Sequence, residues 1–520
     1  MKYFKFYSLI IIISVFTTIG CTSDFDEINT NPKELTTEVV DGSLIGLAFS
    51  QAQYNTVNGV HWRFQISQNL FSDLYCQYFA TTQSNFDSDR YVQVGRWSDL
   101  CWGSFYGQAA PNIKFVEDFT AENDLTLQNA IAKVWRAYGY HRITDYYGSV
   151  PYSDFGNGSI EGVAYDTQDV IYTDLFRLLN EAITVLKGGG NGFGSNDQIY
   201  SGDAALWLKF ANSLKLRLAM RVKYVDPGMA KSMAEQAVAD GVMLSVSDNA
   251  TMLTTSTSPN PINTITNWGE YRMSAAMESV LKGYEDPRMP VYFSPAADGD
   301  TDGDGIPYEG LRNGQSKVDL GNNKNNGHSD LGSNFLPSNL GGNARIVVIR
   351  SGEVYLLRAE GALEGWDMGG TVQELYEEGI RQSIMEWTGA DATAIDTYIA
   401  SPNVPLPTLD VHNTPALTDI PVAFEAAANK ERQLEQIITQ KWLALYPDGW
   451  EAWAELRRTG YPKQYDRLNS ENGNVGVSDI MRRMKYVTSE YTVNTEAVNA
   501  AVSSLGGADL GSTKVWWDKK

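Results

Sequence analysis

The stretch QDVIYTDLFRLLNEAITVLKGGG, residues 168–190, decides the fold class of this chain. Its apolar residues recur at three- and four-residue spacing, which is typical of a helix that buries one face. They are Val170, Ile171, Leu175, Leu178, Leu179, Ala182, Ile183 and Leu186. The three glycines at 188–190 suit a helix stop. We therefore predict an amphipathic helix that ends at this glycine run.

Four more stripes of the same kind occur, at 127–138, 206–220, 354–363 and 434–445. Nearly every stripe is followed by a second, shorter helical pattern, which predicts stacked helical hairpins. No strict 34-residue consensus recurs, so self-similarity alone does not establish a tetratricopeptide array. The strand signal is weak, and a run such as Ile346-Val347-Val348 is expected only in a small hairpin. The fold class is therefore mostly α with minor β.

Two irregular insertions interrupt the helical pattern. Residues 296–343 are rich in Gly, Asn and Asp, and residues 389–425 are rich in Pro, Thr and Ala. Long loops inside a compact protein are usually functional or disordered. We expect one interwoven unit over 21–520, with the helical-hairpin scaffold at roughly 125–240, 346–388 and 429–460. The loop-rich, ligand-binding portion is expected at roughly 60–120, 245–345 and 389–425.

Composition excludes several classes of protein. The chain has 520 residues, 41 Lys and Arg against 63 Asp and Glu, and a formal net charge of -22. Such acidity argues against nucleic-acid binding and against attachment to anionic lipid headgroups through a basic patch. The length is sufficient for a large core without disulfides or metals. Two cysteines inside the chain, Cys76 and Cys101, lie in apolar surroundings, and either a disulfide or two separate buried thiols fits them.

The first 20 residues predict an export signal. Lys2 and Lys5 precede an apolar run at 8–16, which is too short to span a membrane. Gly20 and Cys21 then resemble the lipobox of bacterial lipoproteins, in which the cysteine is acylated, although Thr18 stands where that motif usually has Leu. An ordinary cleaved signal with an incidental cysteine is the alternative. We expect a signal peptide at 1–20 and a lipid anchor, such as palmitate, on Cys21.

Motifs for catalysis are scarce. The four histidines show no H-E-x-x-H spacing, and no G-x-S-x-G sequence occurs. His141 lies beside Arg142 and near Asp145, but no nucleophile accompanies it, so a structural contact is the stronger interpretation. A pair of carboxylates for glycoside hydrolysis needs no local motif and stays open. We expect that the protein is not an enzyme.

One acidic loop predicts a cation site. Asp298, Asp300, Asp302 and Asp304 alternate with small residues, an arrangement that can surround Ca²⁺ with oxygen ligands. Counted from Asp298, Glu309 falls where an EF-hand loop places its closing glutamate. Pro307 interrupts the helix that should follow. A structural Ca²⁺ and a solvated acidic turn are both consistent with this pattern.

Blocks of sequence distributed along nearly the whole mature chain resemble one family. They are DFDEINTNP at 24–32, DYYGSVPY at 145–152, WLKFANSLKLR at 207–217, EDPR at 285–288, YLLRAEGA at 355–362, QKWLALY at 440–446 and EAWAELRR at 451–458. Their order and joint presence resemble SusD/RagB-like nutrient-binding outer-membrane lipoproteins, in the branch that begins with NTNP. The resemblance implies a superhelical scaffold of tetratricopeptide-like hairpins with an irregular ligand-binding portion. It also implies a surface-exposed lipoprotein that passes oligosaccharides, or peptides, to a TonB-dependent (SusC-like) transporter without catalysis.

Aromatic side chains among polar neighbours are the candidates for ligand contact. Sugar rings pack their C–H faces on aromatic rings, while amide and charged groups bind the hydroxyls. Trp97, Trp268, Tyr271 and Arg272 meet this description and lie in regions comparable to those that contact ligand in the family. Trp135, Trp207, Trp442 and Trp453 lie in apolar stripes and are expected in the core. A surface scaffold or adhesin that binds only proteins, and less strongly a glycan hydrolase, are the alternatives.

Overall fold

Helices form most of the part of the chain that is described by the computed structural model, which covers residues 42–157, 162–321, 325–336 and 344–520. The signal segment and Cys21 lie outside these residues. The helices, in chain order, are α1 (Gly42–Thr56), α2 (His61–Phe64), α3 (Ser72–Tyr75), α4 (Gly95–Ser104), α5 (Ala110–Glu122), α6 (Thr126–Tyr147), α7 (Gln168–Leu186), α8 (Ala204–Val222), α9 (Pro227–Asp240), α10 (Pro261–Thr266), α11 (Ala275–Gly283), α12 (Met289–Tyr292), α13 (Lys317–Gly321), α14 (Ser351–Leu363), α15 (Val372–Thr388), α16 (Ala392–Ile399), α17 (Lys430–Leu445), α18 (Gly449–Thr459), α19 (Thr488–Val493) and α20 (Thr495–Ser504).

Within the described residues, the strands are short and pair only in twos. They are β1 (Phe79–Thr81), β2 (Val150–Pro151), β3 (Tyr165–Asp166), β4 (Ala250–Met252), β5 (Tyr271–Met273) and β6 (Ile346–Ile349). The antiparallel pairs are β1 with β5, β2 with β3, and β4 with β6. The mostly α fold with minor β is confirmed. The run at Ile346 does form a strand, but its partner β4 lies far away in the sequence.

Consecutive long helices pack as hairpins, as the five apolar stripes predict. α6 packs on α7, α8 on α9, α14 on α15 and α17 on α18, and the pairs meet through α7 with α8, α8 with α14, and α14 with α17. Local sequence explains where several helices begin and end. Asp203 accepts hydrogen bonds from two backbone N–H groups at the start of α8, and Gly189 and Gly190 take positive φ after α7.

Buried ion pairs join helices of different hairpins. Arg221 of α8 contacts Glu455 of α18 at 3.1 Å, and Arg217 of α8 contacts Glu353 of α14 at 2.6 Å. Arg458 of α18 contacts Glu360 of α14 at 2.6 Å. All of these side chains are almost fully buried. Such pairs hold their partners in one arrangement, because separating them would leave a charge buried without compensation.

The chain divides by its contacts after Ile45. Of the first unit, only Gly42–Ile45 is described, and it forms the start of α1. Gly46–Lys520 is the second unit and carries the hairpins and the loops. Within the described ranges, no helix is long and apolar enough to cross a membrane. Trp135, Trp207, Trp442 and Trp453 are all buried, as their apolar stripes predict.

Candidate functional site

Two tryptophans with large exposed surfaces lie on or beside helices that pack together. Trp62 in α2 is 41% exposed, and Trp268, just after α10, is 38% exposed. The helices α2 and α10 pack together, and His61 places its ring edge on Trp268 with the ring centroids 5.6 Å apart. Arg63 lies 5.1 Å from the centroid of the Trp62 ring. We call Trp62, Trp268 and His61 the aromatic platform.

The backbone around Trp268 is held by a strand pair. Gly269 takes φ +65°, a left-handed conformation that favours glycine, and turns the chain into β5. β5 pairs with β1, where Thr81 lies opposite Tyr271. The hydroxyl of Thr82 donates to the Gly269 carbonyl at 2.8 Å. These contacts hold the backbone that follows Trp268 in place.

Polar groups surround the platform. Gln65 donates its Nε2 to Glu270 at 2.5 Å, and burial raises the pKa of Glu270 above its usual value. Asn325 donates its Nδ2 to the Gly269 carbonyl at 2.8 Å, and Arg272 donates its Nε to the Asn325 carbonyl at 3.2 Å. Carboxylate, amide and imidazole groups beside exposed indole rings are what a sugar requires, because they can bind its hydroxyls while the rings cover its C–H face.

The four predicted ligand residues differ in their surroundings. Trp268 is exposed, whereas Tyr271 and Arg272 are only 2% and 7% exposed. Tyr271 shares a hydrogen bond with the Thr266 hydroxyl at 2.9 Å, and Arg272 also donates to a backbone carbonyl, so both support the loop that carries Trp268. Trp97 in α4 is half-buried, and its ring and that of Phe86 meet edge to face with the centroids 5.5 Å apart. Direct ligand contact by each of the four stays a prediction.

Trp62 and His61 are platform residues that the sequence analysis did not select. They stand in the stretch GVHWRF at 59–64, where a tryptophan lies between histidine and arginine. That polar context is the same signal that selected Trp97. Exposure itself, however, depends on the packing of α2 against α10, which no local pattern shows.

The acidic loop at 298–309 folds around its own backbone. Asp300 accepts hydrogen bonds from the N–H groups of Gly303 and Gly305 at 2.6 and 2.8 Å, and these bonds lower its pKa. Asp304 accepts from Ile306 at 2.7 Å. Carboxylates of Asp300, Asp302 and Asp304 come close enough together to hold one ion. Asp298 is not part of this group.

A second acidic group adds Glu278 of α11, which the sequence analysis did not select. Glu278, Asp302 and Glu309 also cluster, and the Lys282 ammonium lies 3.0 Å from Glu278 and 2.8 Å from Asp304. Burial raises the pKa of Glu278 to about 8 and that of Glu309 to about 7. Four carboxylates, those of Glu278, Asp302, Asp304 and Glu309, lie within 3.9 Å of the one ammonium. Together with Asp300 they form a set of oxygen donors that fits a hard cation such as Ca²⁺.

His141, Cys76 and Cys101 are buried and therefore poorly placed to act on a ligand. His141 lies inside α6 with its Nδ1 3.3 Å from the Ala137 carbonyl, and burial lowers its pKa well below the usual value. Cys76 and Cys101 are separate buried thiols, and burial raises the pKa of both. The platform presents exposed indole rings beside polar side chains, an arrangement that can bind a ligand.

A family model and several solved structures match nearly the whole chain. The family model of Susd and RagB outer membrane lipoproteins matches residues 27–518. A chitin-binding SusD homolog from Flavobacterium johnsoniae is 35% identical, with a TM-score of 0.84 over 92% of this chain and 99% of that chain. A SusD homolog from Bacteroides uniformis is 33% identical, with a TM-score of 0.82 over 92% of this chain and 100% of that chain. Among curated proteins there is no match.

Proposed function

The chain belongs to the SusD-like family of outer membrane lipoproteins, and from that membership we propose that it binds oligosaccharides at the cell surface. The observation that carries the proposal is the aromatic platform, where two tryptophans stay exposed on a fixed loop and a short helix. Exposed indole surface costs free energy in water, so a bound sugar face that covers it is favoured.

Chitin oligosaccharides are the ligands we propose first. One similar structure is a chitin-binding SusD homolog, and that name describes the neighbour alone. The platform adds its own support, because the acetamide groups of chitin can exchange hydrogen bonds with Gln65, Glu270 and His61. The formal charge of -22 disfavours strongly anionic glycans unless a local basic patch is present.

Calorimetry tests the ligand class. The protein is titrated with chitohexaose, other neutral glycans, acidic glycans and peptides, and the recovered ligand is analysed for products. Saturable binding of unchanged chitohexaose, weakened about 10-fold at the platform in Trp62→Ala and in Trp268→Ala but kept in Trp366→Ala, supports the proposal. Trp366 is a suitable control because it is half-buried and lies outside the platform. Binding of peptides alone would favour the peptide alternative, and released shorter glycans would favour the hydrolase.

Delivery to a transporter is the second part of the proposal. We propose that an acyl anchor on Cys21 holds the protein at the outer membrane, where it passes ligand to a TonB-dependent (SusC-like) channel. Two or more acyl chains would give a stable anchor where one would not. A Cys21→Ala variant is expected in the soluble fraction, and the wild-type protein is expected to co-purify with the channel. Co-purification without any small ligand would instead favour a protein-binding scaffold.

We also propose a structural Ca²⁺ in the acidic loop, held by Asp300, Asp302, Asp304 and Glu309 with Glu278 beside them. When bound, the ion would neutralise the carboxylates that crowd around Lys282. Asp298 belonged to the predicted set but lies outside both carboxylate clusters, and its role as a ligand stays a prediction. Equilibrium dialysis with calcium measures the stoichiometry, and Asp302→Asn is the variant expected to lose the ion.

A further inference from the structure

A separate cleft of about 660 Å³ lies between the start of α7 and the segment 504–519. Thr167, Gln168 and Asp169 form one wall, and Ser504, Thr513 and Trp516 contribute to the other. None of the residues that line it belongs to the aromatic platform. Its volume lies in the range of small-ligand sites.

Trp516 gives this cleft an aromatic surface. Its neighbour Trp517 is fully buried and donates its Nε1 to Asp145 at 2.7 Å, so it is a core residue. Trp516 lines the cleft, is only half-buried, and contacts Tyr172 with the ring centroids 5.9 Å apart. Its indole N–H has no hydrogen-bond partner in the described part of the chain. Trp517 therefore packs in the core, and Trp516 lines the cleft.

Polar groups of the cleft are incompletely paired. Gln168 is 2% exposed, donates its Nε2 to the Thr144 carbonyl at 2.9 Å, and leaves its Oε1 without a partner. The hydroxyls of Ser149 and Ser504 bond each other at 2.8 Å. An unpaired buried carboxamide oxygen is costly, and a donor that reaches it is correspondingly favoured. The Oε1 atom is itself enclosed, so a donor in the cleft reaches it once the Gln168 side chain turns toward the cleft.

Charges around the cleft nearly balance. Lys514 and Lys519 line it together with Asp169 and Asp518. Asp518 is already paired with Arg482 at 3.1 Å. A ligand is therefore not required to carry a charge. A ligand with hydroxyl or amide N–H donors and an apolar face would match Gln168 and Trp516.

We propose that this cleft is a second carbohydrate-binding site that takes a sugar unit against Trp516, with a sugar hydroxyl or amide donating to Gln168. The chemical class of the ligand rests on the proposed function. The location rests on the cleft itself. Two sites on one chain would let the protein hold separate parts of a glycan, or two glycans, at once.

The test is the number of chitohexaose sites on the intact purified protein, measured by calorimetry. Wild type is expected to bind chitohexaose at two sites. Trp516→Ala should keep the platform site and Trp268→Ala the cleft site, with affinity at the altered site at least 10-fold weaker, or ~1.4 kcal/mol. Trp366→Ala is the matched control and should keep both. Gln168→Met is a second cleft variant that removes the unpaired oxygen at similar side-chain length. Thermal unfolding of each variant shows whether it is folded.

The outcomes separate this inference from the proposed function. If Trp268→Ala abolishes all binding while folded Trp516→Ala and Gln168→Met bind as wild type, the second site is refuted and the proposed function stands. If wild type binds no glycan at all, both are refuted. Loss of one site in the folded cleft variants, with the other site unchanged, supports the inference.

Discussion

Replacing Asp73 by asparagine should stabilise the protein, and more so as the pH rises. Asp73 in α3 is fully buried, and this burial raises its pKa from 3.8 to about 8, with the nearby Gln68 side chain offsetting only part of the effect. The nearby Asp448, which is paired with Arg142, raises it further. The folded protein therefore holds the neutral form of this carboxyl, while the unfolded chain ionises readily.

The sign of the effect follows from linkage. A carboxyl whose pKa is raised on folding contributes its full stability below pH 3.8 and loses it as the pH rises to about 8. Each pH unit in this window changes the free energy of unfolding by about 1.4 kcal/mol, so the loss reaches about 4 kcal/mol at pH 7. Asparagine keeps the shape without the charge, so the advantage of Asp73→Asn should grow by that amount.

Urea unfolding followed by tryptophan fluorescence at pH 5, 6, 7 and 8 measures this difference. Asp124→Asn is the control, because Asp124 is exposed and its replacement should give no pH-dependent gain. A difference between Asp73→Asn and wild type that stays constant from pH 5 to pH 8 would refute the reasoning, as would a variant less stable than wild type at pH 7.

Four further predictions follow from individual contacts. Trp268→Ala should weaken chitohexaose binding about 10-fold in calorimetry, since aromatic stacking supplies roughly 1–1.5 kcal/mol, and Trp366→Ala should not. Arg458→Met should lower the free energy of unfolding by about 3–5 kcal/mol, because two buried glutamates lose their shared partner. Arg432→Met, which breaks partly exposed pairs, should cost under about 1 kcal/mol in the same urea assay. Millimolar calcium should raise the melting temperature of wild type but not that of Asp302→Asn, measured by calorimetric scans, and an equal rise in both would contradict the proposed ion site.

The long helices could be predicted from sequence because their signal is local. Each apolar stripe predicts which face of its helix is buried, and the glycine run predicts where α7 ends. The strand at Ile346–Ile349 was also readable, but its pairing with Ala250–Met252 was not, because nothing in either segment specifies a partner so distant in the chain. Family resemblance, carried by blocks spread over the chain, added what periodicity could not.

The candidate site was harder to predict for a physical reason. Trp268 and Tyr271 are three residues apart and have similar polar neighbours, yet one is exposed and the other is buried against Phe79. Their difference arises from the pairing of β5 with β1, a tertiary contact. Glu278 joins the acidic loop for the same kind of reason, since α11 carries it there together with Lys282. Residue type and spacing select candidates, but packing decides which of them face solvent.

Binding of chitohexaose to the wild-type protein, with analysis of the recovered ligand, tests the central claim most directly. A non-catalytic carbohydrate-binding lipoprotein predicts a saturable heat that loses its platform site when both Trp62 and Trp268 are replaced by alanine, together with chitohexaose recovered intact. An unchanged number of binding sites in the folded double variant, or the appearance of shorter chitin fragments, would contradict the account.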